Sequence, residues 1–319
     1  MTTAEHFTTK IPLDMAGYRL DKALAELFPS YSRARFQQWI REGHVLVNAT
    51  PGRGKDKVQG GEDIQITAQS EEQVAWKAQG LPLSLLYEDE DILVVNKPAG
   101  LVVHPGAGNS ENTLVNALLY HAPELAQLPR AGIIHRLDKD TSGLLVVARS
   151  LTAHTHLVAQ LQNHEVVRKY QAVIVGVLIA GGHVEAPIGR HPTQRTHMAV
   201  VENGKPAVTH YRVIQRYRGH THIQVQLETG RTHQIRVHLA HKRYPLVGDP
   251  VYGGREKIPP HCNDELRKTL RTFRRQALHA AQLGLIHPRS SELMQWTTPL
   301  PDDMQNLLKA LETDRLEHV

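Results

Sequence analysis

The chain has a single cysteine, Cys262, in 319 residues, so neither an internal disulfide nor a thiolate zinc site can form. Aromatic residues are sparse and only three are tryptophan, which leaves little for a sugar-binding platform. No apolar run approaches the roughly twenty residues that cross a bilayer. Met1 to Lys10 has no apolar stretch resembling a secretory leader. A soluble, cytoplasmic protein is therefore expected. Internal repeats and low-complexity tracts are absent. Neither a Walker-type Gly-Lys-Ser/Thr nor a Gly-x-Gly-x-x-Gly after a strand occurs; Gly52 to Gly54 and Gly106 to Gly108 are isolated, and no nucleotide cofactor is implied.

What is present leans basic. The formal charge is +5 with 21 histidines, and the sequence pI is near 9.3, a balance that suits a polyanionic partner. Near the start, Leu20, Leu24, Leu27 and Phe28 mark one face of a short helix ended by Pro29. Ser32 is placed to cap a second helix to about Glu42, burying Phe36, Trp39 and Ile40 and showing Arg33, Arg35 and Arg41. Strands at His44 to Asn48 and Ile64 to Thr67 flank a turn rich in Gly and Lys. This makes a first unit over 1–67, followed by a polar linker over 68–80 and a second domain over 81–319.

In the second domain, Leu83 to Tyr87 and Ile92 to Asn96 read as a hairpin and Thr113 to Tyr120 as a helix. Leu151 to Asn163 reads as a helix and Val166 to Val177 as a strand. Long strands at Pro206 to Tyr217 and His220 to Thr229 should pair antiparallel across Arg218-Gly219. Gly230 is expected to permit a turn and Thr232 to cap the helix that carries Arg236. A cationic helix is expected over Arg267 to Arg275, then a strand over Gln276 to His287 and a closing helix from Asp302. His238 and His241 lie three apart on a helix and His220 and His222 alternate on a strand. No carboxylate or cysteine set accompanies them, so no metal is expected.

The chain centres on Ile134 to Gly143, a loop holding Asp138, Asp140, His135, Arg136 and Lys139. Apolar runs at Gly132 to Ile134 and Leu144 to Val147 suggest a polar loop between two buried strands, where reactive groups are often displayed. The alternative is a charged turn satisfied by its own backbone. Were the segment extended, Asp138 and Asp140 would share a face, as a pair of glycosidase carboxylates might, but nothing else supports that chemistry.

The loop His135-Arg136-Leu137-Asp138-Lys139-Asp140-Thr141-Ser142-Gly143 resembles the signature of the RluA-type pseudouridine synthases. Asn96-Lys97-Pro98-Ala99-Gly100, Arg168-Lys169-Tyr170, Glu228 to His238 and Gly248-Asp249-Pro250-Val251-Tyr252-Gly253 are similar to further blocks of that family. Arg19-Leu20-Asp21, Ser32-Arg33 and Gly43 to Asn48 resemble an S4 RNA-binding domain.

The resemblance implies an α+β protein, with a small S4 domain preceding a catalytic domain built on a mixed, largely antiparallel sheet around a central cleft. It implies isomerisation of uridine to pseudouridine in 23S rRNA of the large ribosomal subunit, in the helix 69 stem-loop. Asp138 would be the catalytic carboxylate, as nucleophile or as base, with Arg236 as its ion-pair partner and Tyr170 packing on the target base. Arg136 would fill the space of a flipped base or hold phosphate, with His135 and Thr141 beside it. Arg190, His191, Arg195 and His197 of a Pro-broken loop, Arg271, and Arg33 and Arg35 of the S4 helix would contact RNA. The reaction is an isomerisation, so no cofactor is implied, and a monomer is expected. Two other readings remain: a sibling synthase acting on other rRNA uridines, and a non-catalytic S4 ribosome-assembly factor.

Overall fold

The computed structural model describes residues 4–28, 31, 33–69, 76–106, 108–194, 196–254 and 257–318. The chain divides into two compact units, Met1–Ala75 and Trp76–Val319.

In the smaller unit, β1 (Ala4–Lys10) precedes α1 (Leu20–Leu27) and α2 (Arg33–Arg41), followed by β2 (Val45–Val47), β3 (Thr50–Pro51) and β4 (Asp63–Gln69). The antiparallel sheet runs β1-β4-β2-β3. The apolar faces of both helices close on it through Leu20, Leu24, Phe36, Trp39, Val45, Ile64 and Ile66. Strand β1 had no clear sequence signal. It is an edge strand whose described apolar contribution is Phe7, packed at 5.7 Å from Phe28 and 5.8 Å from Tyr31. The proposed cap at Ser32 lies outside the described residues.

The larger unit begins with Trp76 against its core, and β5 (Leu85–Glu88) and β6 (Ile92–Lys97) form the expected hairpin. Then come α3 (Leu114–His121), β7 (Ser142–Ala148), α4 (Leu151–Gln162), β8 (Val167–Val175) and β9 (Gly182–Glu185). A small hairpin, β10 (Ile188–Arg190) and β11 (Met198–Val200), precedes β12 (Val208–Arg216), β13 (His220–Leu227) and α5 (Gln234–His241). The chain finishes with α6 (Asp264–Thr272), β14 (Leu278–Ile286), β15 (Leu293–Thr297) and α7 (Asp302–Leu316).

The nine-stranded sheet runs β5-β6-β7-β14-β8-β13-β12-β9, with β15 on the far half of β14. Every pairing is antiparallel except β7 with β14, so the sheet is mixed and largely antiparallel. That parallel contact is short, Ser142 with His279 and Gly143 with Ala280. Gly143 has φ +112, and a Cβ there would lie 2.3 Å from the Ala280 carbonyl oxygen. Only glycine fits where the loop meets the sheet.

Three expectations need correcting. The segment before the central loop is not a strand: Arg130 and Ala131 are left-handed, at φ 52 and 51, within a 3-10 turn, and Ile133 makes only a single bridge to Val147. The cationic helix ends at Thr272 and starts earlier, at Asp264, where the Asn263 side chain accepts from the Leu266 amide. Arg274 and Arg275 therefore lie beyond it. Gly230 has no left-handed φ; its Cβ would instead meet Arg168 Nη1 at 2.8 Å.

Candidate active site

The loop from Ile134 to Thr141 runs into β7 and is held from beneath. Lys97, fully buried, donates from Nζ to the carbonyls of Pro98, Leu101 and Lys139 at 2.8, 2.9 and 2.9 Å. These three acceptors match the three protons of an ammonium. Burial pushes Lys97 down to about 7, with Asp140 and Asp138 pulling the other way. From the opposite side, Arg275 donates to the Asp140 carbonyl at 3.1 Å while gripping Asp303 of α7 at 2.6 and 2.7 Å. Gln276 donates to Thr141 Oγ1 at 3.1 Å. The chain turns at Lys139-Asp140, so the extended geometry that would pair Asp138 with Asp140 is not met.

Asp138 leaves this cradle facing a cleft of about 580 Å³, lined also by Tyr170, Arg136, His233, Arg236 and Leu278. Its Oδ2 accepts from Arg236 Nη1 at 3.1 Å. The guanidinium is buried and makes a second, two-point contact with Asp249, Nε to Oδ2 at 2.7 Å and Nη2 to Oδ1 at 2.9 Å. Asp249 also accepts from the amides of Val251 and Tyr252. Burial would raise the Asp249 carboxyl, but the hydrogen bonds and charge of Arg236 outweigh it and hold it below the usual range. Burial likewise works against the Arg236 cation, and the two carboxylates more than reverse this. The result is a permanently charged arginine clamped to Asp249, its remaining edge aimed at Asp138. The Asp138 side chain keeps 19% of its surface open, against 0% for Asp249.

Arg236 lies in the first turn of α5. Thr232 does not cap this helix; His233 does, in a left-handed conformation at φ 56 with no side-chain cap. The preceding turn is knitted by buried Gln234, which accepts from the Arg231 amide and the Thr229 hydroxyl at 2.9 and 2.8 Å. It also donates to the Val208 carbonyl at 2.9 Å.

The other expected residues divide. Tyr170 on β8 lines the cleft, and burial raises its hydroxyl, so the ring is neutral. Arg136 is exposed in the cleft lining and makes no hydrogen bond or ion pair among the described residues. His135 also lines the cleft, but its Nε2 accepts from the Val146 amide at 3.3 Å and burial drops it to about 3, so it is a neutral prop. Thr141 is buried and bonded to Gln276. Arg190 ends β10, exposed; His191 Nδ1 accepts from the Thr193 and Gln194 amides, shaping the loop; His197 packs edge-on against Tyr252 at 6.0 Å. Arg195 lies outside the described residues.

Arg271 is exposed on α6 and does not line the cleft. In the smaller unit, Arg33 donates from Nη2 to buried Asp21 at 3.0 and 3.1 Å, so part of its fork is spent internally. Arg35 lies 5.8 Å from the Trp39 ring centre.

Of the paired histidines, His238 is spent on Thr209 and the Ala186 carbonyl, and His222 on Gln171. Asp89, Asp91 and His287 are the one group of possible metal ligands among the described residues. Tyr87, His287 and two amides already bond Asp89, while Arg289 pairs with Asp91. The sequence reading missed Lys97, His233, Asp249, Tyr252 and Arg275 as site builders. The blocks holding Lys97, His233, Asp249 and Tyr252 were visible, without roles.

The mixed sheet and its helices are shared with solved pseudouridylate synthases. Human RNA pseudouridylate synthase domain containing 4 superposes with a TM-score of 0.57 at 28% identity, covering 72% of this chain and 93% of that one. Human RNA pseudouridylate synthase domain containing 1 gives 0.53 at 28% identity, covering 74% and 96%. Residues 91–241 match the RNA pseudouridylate synthase family and 19–64 the S4 domain. The chain is 56% identical over 306 residues to ribosomal large subunit pseudouridine synthase D of Pseudomonas aeruginosa, covering 96% of each. It is 53% identical over 319 residues to the protein of the same name in Escherichia coli K12, covering 100% of this chain and 98% of that one. The chain belongs to the RNA pseudouridine synthase family.

Proposed function

We propose that this enzyme converts uridine to pseudouridine in 23S rRNA of the large ribosomal subunit, within the helix 69 stem-loop, with Asp138 as the reacting carboxylate. It would act in the cytoplasm, as a monomer, without a cofactor. The observation that carries the reading is the asymmetric clamp. Arg236 is locked on Asp249 and presents its free edge to Asp138, the one carboxylate of the trio open to the cleft. The relatives named for large-subunit action match over nearly their whole length and supply the substrate class.

The chemistry suits these residues. Substrate and product are isomers: the bond from C1′ to N1 breaks, the base turns, C5 joins C1′, and the proton lost from C5 is balanced by one gained at N1. A carboxylate held in place by an adjacent arginine can attack as a nucleophile or accept a proton. The glycosidic bond is unreachable within a stacked helix, so the uridine must be extruded, which favours loops. In this reading Tyr170 packs on the extruded uracil and Arg136 occupies the vacated space or a phosphate.

The test maps pseudouridines in large-subunit rRNA from cells lacking the protein, complemented with wild type or Asp138→Ala. Loss of marks in the helix 69 loop, restored by wild type alone, is expected. Loss of other marks instead would move the substrate to another rRNA uridine, and unchanged marks would favour a non-catalytic RNA-binding role.

A further inference from the structure

We propose that His233 and Tyr252 are positioning residues, forming a hydrogen-bond chain that orients the second oxygen of Asp138 and ties it to the basic hairpin β10-β11. The proposal rests on the reading of Asp138 as the reacting carboxylate. It begins with a donor whose direction is unambiguous. The backbone amide of Met198, the first residue of β11, donates to Tyr252 Oη at 2.9 Å. The same oxygen lies 2.8 Å from His233 Nδ1. With the Met198 amide occupying one lone pair, the Tyr252 hydroxyl keeps its own proton for its other neighbour, and in the proposed chain it donates to Nδ1. His233 Nδ1 is then the acceptor and Nε2 carries the proton.

That Nε2–H lies 3.8 Å from Asp138 Oδ1. The distance is beyond a formed hydrogen bond, and a small shift on substrate binding would close it. The two carboxylate oxygens are thereby distinguished: Oδ2 is held by Arg236, whereas Oδ1 faces a neutral N–H donor. His233 reaches this place through a left-handed backbone, φ 56 and ψ 21, which is strained for a residue with a side chain. Charged groups face the imidazole from several elements: Asp138 and Arg136 on the central loop, Arg236 on α5, and Asp249 before Tyr252. Burial lowers its pKa most, opposed by Asp138.

The ring of Tyr252 also lies 5.0 Å from the Arg236 guanidinium and takes His197 edge-on. His197 and Met198, adjacent where the basic loop returns into β11, thus contact the same tyrosine. How the hairpin sits therefore bears on whether the imidazole nitrogen that faces the carboxylate carries the proton.

Tyr252→Phe keeps the ring over Arg236 and removes only the hydroxyl. Single-turnover pseudouridine formation on large ribosomal subunits from cells lacking the protein should slow about tenfold, the effect of one lost orienting hydrogen bond. The subunit dissociation constant should stay within about twofold. Freed of its partner, Nδ1 can take a proton, so the acid limb of the rate profile should move to higher pH. His233→Gln, whose amide can still donate, should retain more activity than His233→Ala. A Tyr252→Phe enzyme matching wild type in rate and pH profile overturns the chain. Imidazole 15N shifts of the wild-type enzyme supply an independent check: His233 protonated on Nε2 supports the proposal, and protonation on Nδ1 overturns it. Asp138→Asn run alongside separates the failures. Full activity there removes the underlying reading, whereas an inactive Asp138→Asn with an unaffected Tyr252→Phe overturns the chain alone.

Discussion

Each unit of this protein contains a cluster of carboxylate and guanidinium built from similar parts, and the two serve opposite ends. In the smaller unit Asp21 is fully buried and takes hydrogen bonds from Arg19, Arg33 and Gln37. Burial alone would raise its carboxyl; the bonds and charges of these partners instead bring it to about 2. Both carboxylate oxygens accept from more than one donor, and with Asp21 on α1 and Arg33 and Gln37 on α2 the cluster staples the two helices. In the larger unit the arginine is buried and the carboxylates number two, one of them open to a cleft. A saturated cluster stabilises. A cluster with one partly exposed member beside a cavity holds a reactive group in a set direction while leaving it reachable.

That contrast can be broken at several points. The largest effect belongs to Asp138→Asn, which keeps the shape and removes the charge. Turnover should fall by at least about a thousandfold, while RNA binding measured by filter retention stays near wild type. Asp21→Ala should have no catalytic signature of that kind. It removes the acceptor shared by half-exposed Arg19 and Arg33, which water can then solvate, and should cost the smaller unit roughly 1–2 kcal/mol in denaturant melts. The same staple has a pH window. Its folded pKa, about 2, lies below the ordinary aspartate value of 3.8. The stabilisation is therefore complete above about 4 and is lost as pH falls toward 2.

Arg236→Lys comes next. A lysine retains one charge but cannot span Asp249 and Asp138 together, so the rate should drop about a hundredfold in single-turnover assays. The smallest effect is expected at Arg271, exposed on α6 and absent from the cleft lining. Arg271→Ala should weaken RNA binding only slightly and lower the slope of log affinity against log salt by about one at most. Equal losses from Arg271→Ala and Arg236→Lys would mean that the cleft does not dominate.

Much of this was legible in the chain. Helices α1, α3, α4 and α7 and the strands β6, β8, β12, β13 and β14 follow from runs of apolar residues whose spacing reports which side is buried. The loop around Asp138 was conspicuous because charge between two apolar runs demands a reason. Where sequence reading went astray, no burial pattern existed to guide it. Strand β1 has few apolar residues to show, the turn at Arg130 and Ala131 depends on two left-handed residues with ordinary side chains, and His233 caps α5 through its backbone.

Sequence alone determined most of the elements, the polar loop around Asp138 and the residue types near it, because local spacing and side-chain character are written along one dimension. Partnership was decided by the tertiary structure. Asp138 and Arg236 stand 98 residues apart and meet, although β14 and β8 separate β7 from β13, because the loop before β7 and the helix after β13 both border the same cleft. Asp249 clamps the arginine, Lys97 fills with its ammonium the space beneath the loop, and Tyr252 reaches both His233 and β11. Such contacts depend on distances and directions between segments remote in the chain. Those are set only when the sheet order closes the core and each buried charge must find its partner.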